Sequence, residues 1–300
     1  MTNSKWTAAD LPSFAGRTVL VTGANSGLGL ITATELARAG AHVVLAVRDP
    51  ARGERAAATI AGSTEVRRLD LADLASIDAF ADGWDRSLDV LVNNAGIMAV
   101  PEQRTKDGFE LQIGTNHLGH FALTNRLLPQ ITDRVVTISS TANRTGKIRL
   151  DDLNFEQGDY GRWTAYSQSK LANLLFTLEL QRRLDEVGSP IRALAAHPGY
   201  AATNLQGNTG SGLQHRIMSA TNRLFAQSDA MGALPALFAA SQDRPGNSYI
   251  GPDRFKEQRG HPAPAKRAAA AQDAETARRL WELSEQLTGV AFPLAPAPAC

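Results

Sequence analysis

The sequence predicts a single doubly wound α/β domain, a parallel sheet with helices on both faces. Three observations carry that expectation. Short β-branched apolar runs recur along the chain, amphipathic stretches of helical period separate them, and the first run opens into a glycine-rich turn. Such alternation implies βαβ units joined by right-handed crossovers.

The elements follow in order. Residues 17–22 (RTVLVT) read as a buried strand that stops at Gly23. Residues 28–39 carry apolar side chains at helical spacing and end at Gly40, a natural residue just past a helix. Residues 42–47 (HVVLAV) form a second buried strand, and an Ala-rich helix over 51–61 follows. Residues 66–69 predict a third strand, 72–84 a helix and 88–92 a fourth strand. The rhythm continues with a long helix over 108–128, a strand over 134–139, a long helix over 163–187 and a strand over 191–196. Residues 261–271, rich in Ala and Pro, read as a surface loop, and 273–287 as an amphipathic helix with Gly289 beyond it. The chain then divides into an arm over 1–15, a core with its substrate lid over 16–260, and an extension over 261–300.

Composition narrows the function. The 300 residues are 43% hydrophobic, and 31 Lys and Arg balance 30 Asp and Glu to leave a net charge of +1. That gives no basic surplus for nucleic acid. Cys300 is the one cysteine, so an intrachain disulfide and a thiolate zinc cluster are excluded, which fits a reducing cytoplasm. Residues 1–16 have neither the basic nor the apolar part of a signal peptide, and no apolar run reaches the roughly 18 residues of a membrane span. The expected location is cytoplasmic.

The turn after the first strand is TGANSGLG, with glycines at Gly23, Gly27 and Gly29. Glycine lets the backbone approach a pyrophosphate closely, and the following helix offers free N–H groups and a positive dipole end. The strand, turn and helix come in the order a dinucleotide site needs; outside that context the turn would be an ordinary glycine-rich loop. At the tip of the second strand stands Arg48, followed by Asp49. A guanidinium there can pair bidentately with a ribose 2′-phosphate, or else simply be solvated. Asp70 and Leu71 end the third strand, with Asp73 the better cap for the next helix.

A further constellation lies downstream. Tyr166 and Lys170 are four apart in a predicted helix and share one face, so an ammonium can favour the phenolate of a group whose ordinary pKa near 10 is too high for work at neutral pH. Ser139 and Ser140 end a strand, and a hydroxyl beside a substrate oxygen can stabilise developing charge. His117 and His120 are three apart on a helix, but no third ligand has matching spacing, so they read as packing or capping residues rather than a metal site.

Taken in sequence, TGANSGLG, NNAG (93–96), TNHLGHF with Asn116, ISS with Ser140, YSQSK with Tyr166 and Lys170, and HPG with Pro198, Gly199 and then Thr203 resemble the short-chain dehydrogenase/reductase family and its Rossmann fold. TNHLGHFALT, LAVRDPARG and SQSKLANLLF are similar to its retinol-dehydrogenase-like branch. The resemblance implies a catalytic tetrad of Asn116, Ser140, Tyr166 and Lys170. Tyr166 would be the acid/base, Lys170 its tuner and a ribose ligand, and Asn116 the holder of a relay water. Cofactor contacts would come from Gly23, Asn25, Ser26, Gly27, Leu28, Gly29, Arg48, Asp70, Leu71, Asn93, Asn94, Ala95, Gly96, Tyr166, Lys170, Pro198, Gly199 and Thr203. Asn93 and Asn94 would line the adenosine ribose or brace the sheet. The RD pair at 48–49 implies NADP(H) in preference to NAD(H).

Ser140 lies 26 residues before Tyr166, and the extra stretch over 145–162 is expected to wrap the substrate pocket. The lid is expected over 203–230, where Leu205, Leu213, Ile217, Met218, Leu224 and Phe225 suggest a hydrophobic aldehyde, ketone or alcohol as the small-molecule partner. His197 would line the nicotinamide pocket. The family's usual assembly surface, the helices at 108–128 and 163–187, implies a homodimer or homotetramer, unless the long tail covers it and leaves a monomer. Two other readings share these residues: a non-catalytic dinucleotide-binding sensor or scaffold on the same fold, which commonly lacks the Tyr/Lys pair, and a Rossmann-like methyltransferase, against which TGxxxGxG and YxxxK both speak.

Overall fold

The computed structural model describes residues 5–200 and 228–295. One eight-stranded sheet runs through them in the order β3-β2-β1-β4-β5-β6-β7-β8. Its first six strands are β1 (Thr18–Thr22), β2 (His42–Val47), β3 (Ser63–Arg68), β4 (Leu88–Asn93), β5 (Ile131–Ile138) and β6 (Arg192–Ala196). All pair in parallel, and the order reverses between β1 and β4, the switch point beyond whose carboxyl ends such sheets bind ligands.

Alternation along each strand sends side chains to two separate cores. Val19 and Val21 of β1 face a core shared with α1 (Gly27–Arg38), α2 (Pro50–Ala57) and α6 (Asp229–Ser241). Leu20 points the other way, toward α3 (Leu74–Asp82), α4 (111–127) and α5 (Arg162–Glu186). Helix α4 is shorter than the 108–128 the sequence suggested. Glu110 caps it, its carboxylate accepting from the amides of Gln112 and Ile113, so the helix starts at Leu111. It runs as α over Leu111–Ile113, widens into a π turn over Gly114–Leu118, and resumes as α over Gly119–Leu127. The π turn carries Asn116. Asp49 and Asp73 cap α2 and α3 through the amides of Arg52 and Ser76.

The expected surface loop at 261–271 is corrected here. Residues 259–264 form β8 (Arg259–Pro264), antiparallel to β7 (Tyr249–Arg254), and neither strand was legible in the sequence. Three prolines, Pro252, Pro262 and Pro264, argue against strands, because proline cannot donate to a ladder. They are tolerated at this edge. Strand β6 pairs with β7 only at Ala195–Tyr249 and Ala196–Ile250, and Pro252 lies past that short ladder. The boundary expected at 260/261 therefore falls inside a strand of the same sheet.

The stretch over 145–162 packs in part on the helical layer. Leu153 is buried with Leu171 and Leu175 of α5 and with Ala277 and Leu280 of α7 (Ala274–Thr288). Gln168 fastens its first half, accepting from the Arg149 amide at 3.0 Å and donating to the Leu153 carbonyl at 3.0 Å. Through Leu153 it lines the helical layer. Helix α7 lies against α5, with the Trp281 ring stacked 5.7 Å from Phe176 and edge-on at 4.8 Å to Phe121. Gly289, in the left-handed conformation, ends it.

Candidate active site

The turn between β1 and α1 is shaped by what glycine omits. A Cβ on Gly29 would lie 2.4 Å from Asn94 Nδ2 and 2.6 Å from the Gly23 carbonyl oxygen, so only hydrogen lets α1 start this close to the turn after β4. Gly27 has φ +53 and open space where a Cβ would stand. Ser26 makes no side-chain cap, which leaves the first amides of α1 uncapped by it. Asn25 and Leu28 complete the turn, both half-buried. This is a cradle of bare backbone at a positive helix end, and a dinucleotide pyrophosphate fits it.

Thr22 holds the cradle to the NNAG turn. Its Oγ1 accepts from the amides of Asn94 and Ala95, each at 2.9 Å, and its carbonyl accepts from Asn94 Nδ2 at 2.8 Å. Asn94 therefore braces the sheet at this point. Asn93 is fully buried and donates to Thr124 on α4 at 2.9 Å, so its amide is committed to packing. His120 meets Thr22 Oγ1 at 2.9 Å through Nε2 and the Asn116 carbonyl at 3.1 Å through Nδ1. Burial holds His120 down at about 4, with the nearby Lys170 charge acting the same way. His117 bonds Ser284 on α7 at 2.9 Å, and burial holds it down at about 3.

Arg48 stands exposed just past β2, while the neighbouring Asp49 carboxylate is occupied in capping α2. Asp70 accepts from the Ala72 amide at 3.0 Å, and Leu71 is buried beside it.

Below the NNAG turn the catalytic candidates converge. Asn116 is fully buried and clamps Ile97 from both sides, accepting from its amide at 2.8 Å and donating to its carbonyl at 2.9 Å; it also donates to Ser169 at 2.9 Å. A Cβ on Gly96 would sit 3.2 Å from Asn116 Oδ1 and 3.3 Å from Lys170 Nζ, so this glycine leaves room for the ammonium. Lys170 donates to the Ile138 carbonyl at 3.2 Å, and its Nζ lies 5.8 Å from the Tyr166 ring centre. Burial pulls Lys170 down to about 8. Burial pushes the Tyr166 phenol up, and a hydrogen bond with the Ser140 hydroxyl opposes that rise. Of the two serines, Ser140 thus faces the phenol, while Ser139 turns away and donates to the Lys170 carbonyl at 2.7 Å.

Two residues that the sequence reading missed hold this floor. The Asn143 amide donates to the Ser140 carbonyl and to the Tyr249 hydroxyl, the latter at 3.2 Å. The Tyr249 phenol also meets the Ser139 side chain, and burial raises its pKa. Asn143 sits within three residues of the ISS motif, a hint in the sequence; Tyr249 belongs to the proline-containing strand that the sequence concealed. Trp163, one turn before Tyr166, is 54% exposed with its ring 6.0 Å from the Tyr166 ring.

His197 packs on the Tyr249 side of this floor. It is buried against Tyr249 at 5.1 Å between rings, accepts from the Gly199 amide at 3.2 Å, and lies 3.3 Å from the Glu257 carboxylate without a directed hydrogen bond. Burial lowers its pKa and Glu257 pulls it back up. Gly199 follows Pro198 with φ +67 against the β7–β8 hairpin. Thr203 and the lid expected over 203–230, as far as residue 227, lie outside the described residues.

This arrangement can be compared with known proteins. The family model for short chain dehydrogenases matches residues 17–214. The chain belongs to the short-chain dehydrogenase/reductase family. Human retinol dehydrogenase 13 is 42% identical over 93% of this chain and 86% of that protein, and mouse retinol dehydrogenase 14 is 40% identical over 92% and 86%. The solved structure of an uncharacterized protein from Mycobacterium Paratuberculosis is 60% identical, covers 97% of this chain and 100% of its own, and superposes with a TM-score of 0.86. A protein from Beutenbergia cavernae solved with NADP at low occupancy is 30% identical over 76% of this chain and 91% of its own, with a TM-score of 0.57. Within the family, this chain belongs with the retinol-dehydrogenase-like branch, and it is an NAD(P)-dependent oxidoreductase that interconverts alcohols and carbonyls. Among its described residues no helix is long and apolar enough to cross a membrane.

Proposed function

We propose that this short-chain dehydrogenase/reductase interconverts a hydrophobic aldehyde or ketone and its alcohol, prefers NADP(H), and uses Tyr166 as acid/base. The observation that carries the reading is the buried Tyr166 phenol bonded to Ser140, with Lys170 one helical turn further on. The glycine cradle and the uncapped start of α1 would hold the pyrophosphate, with Asn25, Ser26 and Leu28 around it. Asp70, Leu71 and Asn94 would border the adenosine, and Pro198, Gly199 and Thr203 the nicotinamide. When bound, the nicotinamide supplies or accepts hydride.

The protein's own part is proton management. Burial keeps the Tyr166 phenol protonated at neutral pH, which suits the donor in carbonyl reduction. Ser140 is placed to share the substrate oxygen and stabilise charge developing there. Lys170, at about 8, remains mainly an ammonium at pH 7 and favours the phenolate left after proton transfer. Above about pH 8 that charge is lost, so the reduction rate falls as pH rises. Asn116, whose side chain fixes the Ile97 backbone, holds the approach to Lys170 and would position the relay water.

Exposed Arg48, free of the carboxylate that caps α2, is the group that would select a 2′-phosphate. Exposed Trp163 gives the pocket an apolar wall. The retinol dehydrogenase relatives point in the same direction, toward a hydrophobic alcohol or carbonyl. Helix α7 covers the face of α4 and α5 that the family resemblance assigns to assembly, so a monomer is expected in place of the homodimer or homotetramer.

The test is steady-state reduction of a panel of aldehydes, ketones and quinones with NADPH and with NADH. Tyr166→Phe is expected to lower kcat by about 10²–10⁴-fold while cofactor affinity holds. Full activity in that variant overturns the assignment. Cofactor binding without turnover across the panel would favour the sensor reading.

A further inference from the structure

A second cleft lies on the edge of the sheet, where the chain enters β7 and leaves β8. Arg244, Tyr249, Ile250, Pro264, Arg267 and Gln272 line its cavity of about 300 Å³. Two guanidinium groups reach it, and neither has a carboxylate within ion-pair distance among the described residues. The 23 ion pairs of those residues engage Arg17, Arg134, Arg192 and others, but not Arg244 or Arg267.

Each guanidinium is held by means other than charge. Arg267 donates through Nη2 to the Asn247 carbonyl at 2.7 Å and lies over the Tyr249 ring at 5.4 Å. Its Nη1 is buried and donates to nothing. Arg244 lies over the Phe238 ring at 5.1 Å, and its Nε is likewise buried and unused. Burying a cation without a counter-charge is costly, and an unmade hydrogen bond from a charged donor adds to that cost. A chain with 30 acidic residues places none of them here. The guanidinium fork matches the spacing of two oxygens on one atom.

We propose that this cleft is an anion site, taking a small oxyanion group, phosphate or carboxylate, on Arg244 and Arg267. Ile250 and Pro264 supply apolar wall for a short organic body, and the volume sits at the lower end of small-ligand pockets. The cleft is distinct from the dinucleotide cradle, which lies at the β1–α1 turn.

The test is calorimetric titration of the full chain with inorganic phosphate, and separately with succinate, so that the two sources of oxyanion are told apart. Arg267→Gln and Arg244→Gln are each expected to weaken binding of the preferred anion about tenfold, a change of about 1.4 kcal/mol. Cofactor affinity is expected to stay unchanged in both. Anion binding at the glycine cradle would survive these substitutions and is read as the residual. Arg267→Lys keeps the charge but loses the fork, and its intermediate weakening covers the case in which a Gln variant fails to fold. Equal anion affinity in the parent and all three variants, or no binding of either anion to the parent, overturns the proposal.

Discussion

At the β1–α1 turn, Gly23 and Gly29 within one short motif let two backbones and an amide side chain meet, and the turn is held to the end of the neighbouring parallel strand β4. At the β7–β8 edge the same sheet is completed by prolines, an antiparallel pairing and a hairpin tip at Phe255, Lys256 and Glu257 whose φ values are all positive. The first region builds a binding surface from missing side chains. The second builds a support from side chains that reach across the fold: Tyr249 to Asn143, and Glu257 to Arg144. One is intolerant of added atoms; the other is sensitive to lost ones.

The largest effect is expected at the first region. Gly29→Ala forces a methyl against the Gly23 carbonyl and the Asn94 amide, and backbone on one side cannot give way. It should destabilise the fold by about 1–3 kcal/mol and lower cofactor affinity at least tenfold. Thermal unfolding and a fluorescence titration with NADPH measure both, and unchanged binding would show that the close approach is dispensable. Arg48→Ala comes next. It should raise KM for NADPH about tenfold and leave NADH nearly untouched; an equal change for both would remove Arg48 from cofactor choice.

At the second region, Tyr249→Phe keeps the ring and removes the hydroxyl that Asn143 and Ser139 share. A three- to tenfold fall in kcat is expected, with KM for the cofactor unchanged and a stability loss of about 1 kcal/mol. A loss of stability alone would mean that the support does not reach Ser140. At pH 7 the last effect is silent in activity and concerns protons on the buried histidines of α4. With His117 at about 3 and His120 at about 4 in the fold, both stay neutral where the unfolded chain protonates them near 6.5. A depressed native pKa means stability held above about pH 6.5 and lost as pH falls toward 4, by about 1.4 kcal/mol per pH unit for each histidine. His117→Gln should be less stable at pH 7 yet lose stability less steeply over that window, as read from denaturant midpoints. An unchanged slope would contradict the burial cost assigned to His117.

The contrast also explains what could be read from the sequence. Strands β1, β2, β4 and β6 were legible because each is a mostly buried apolar run beside a helix of matching period, whereas β3 (STEVRR) is a half-buried polar strand at the sheet edge whose start at Ser63 the 66–69 reading missed. The convergence of Asn116, Ser140, Tyr166 and Lys170 on one floor is a matter of local order: a strand end, a π turn and one helical turn. The support was not legible, because Tyr249 acts on Ser140 across a pairing with no local signature and because prolines mask the strand that carries it. The committed amide of Asn93 was hidden for a related reason, since only the packing of α4 shows that Thr124 receives it.

Helix α7 has a consequence in time. Its Trp281 fills the space between Phe121 of α4 and Phe176 of α5, yet the ribosome delivers it long after both. A nascent chain that has already closed its parallel sheet still shows an aromatic face to its surroundings. Folding is completed only when a late segment returns to an early one, and until then that face is where a chaperone or a neighbouring nascent chain would adhere.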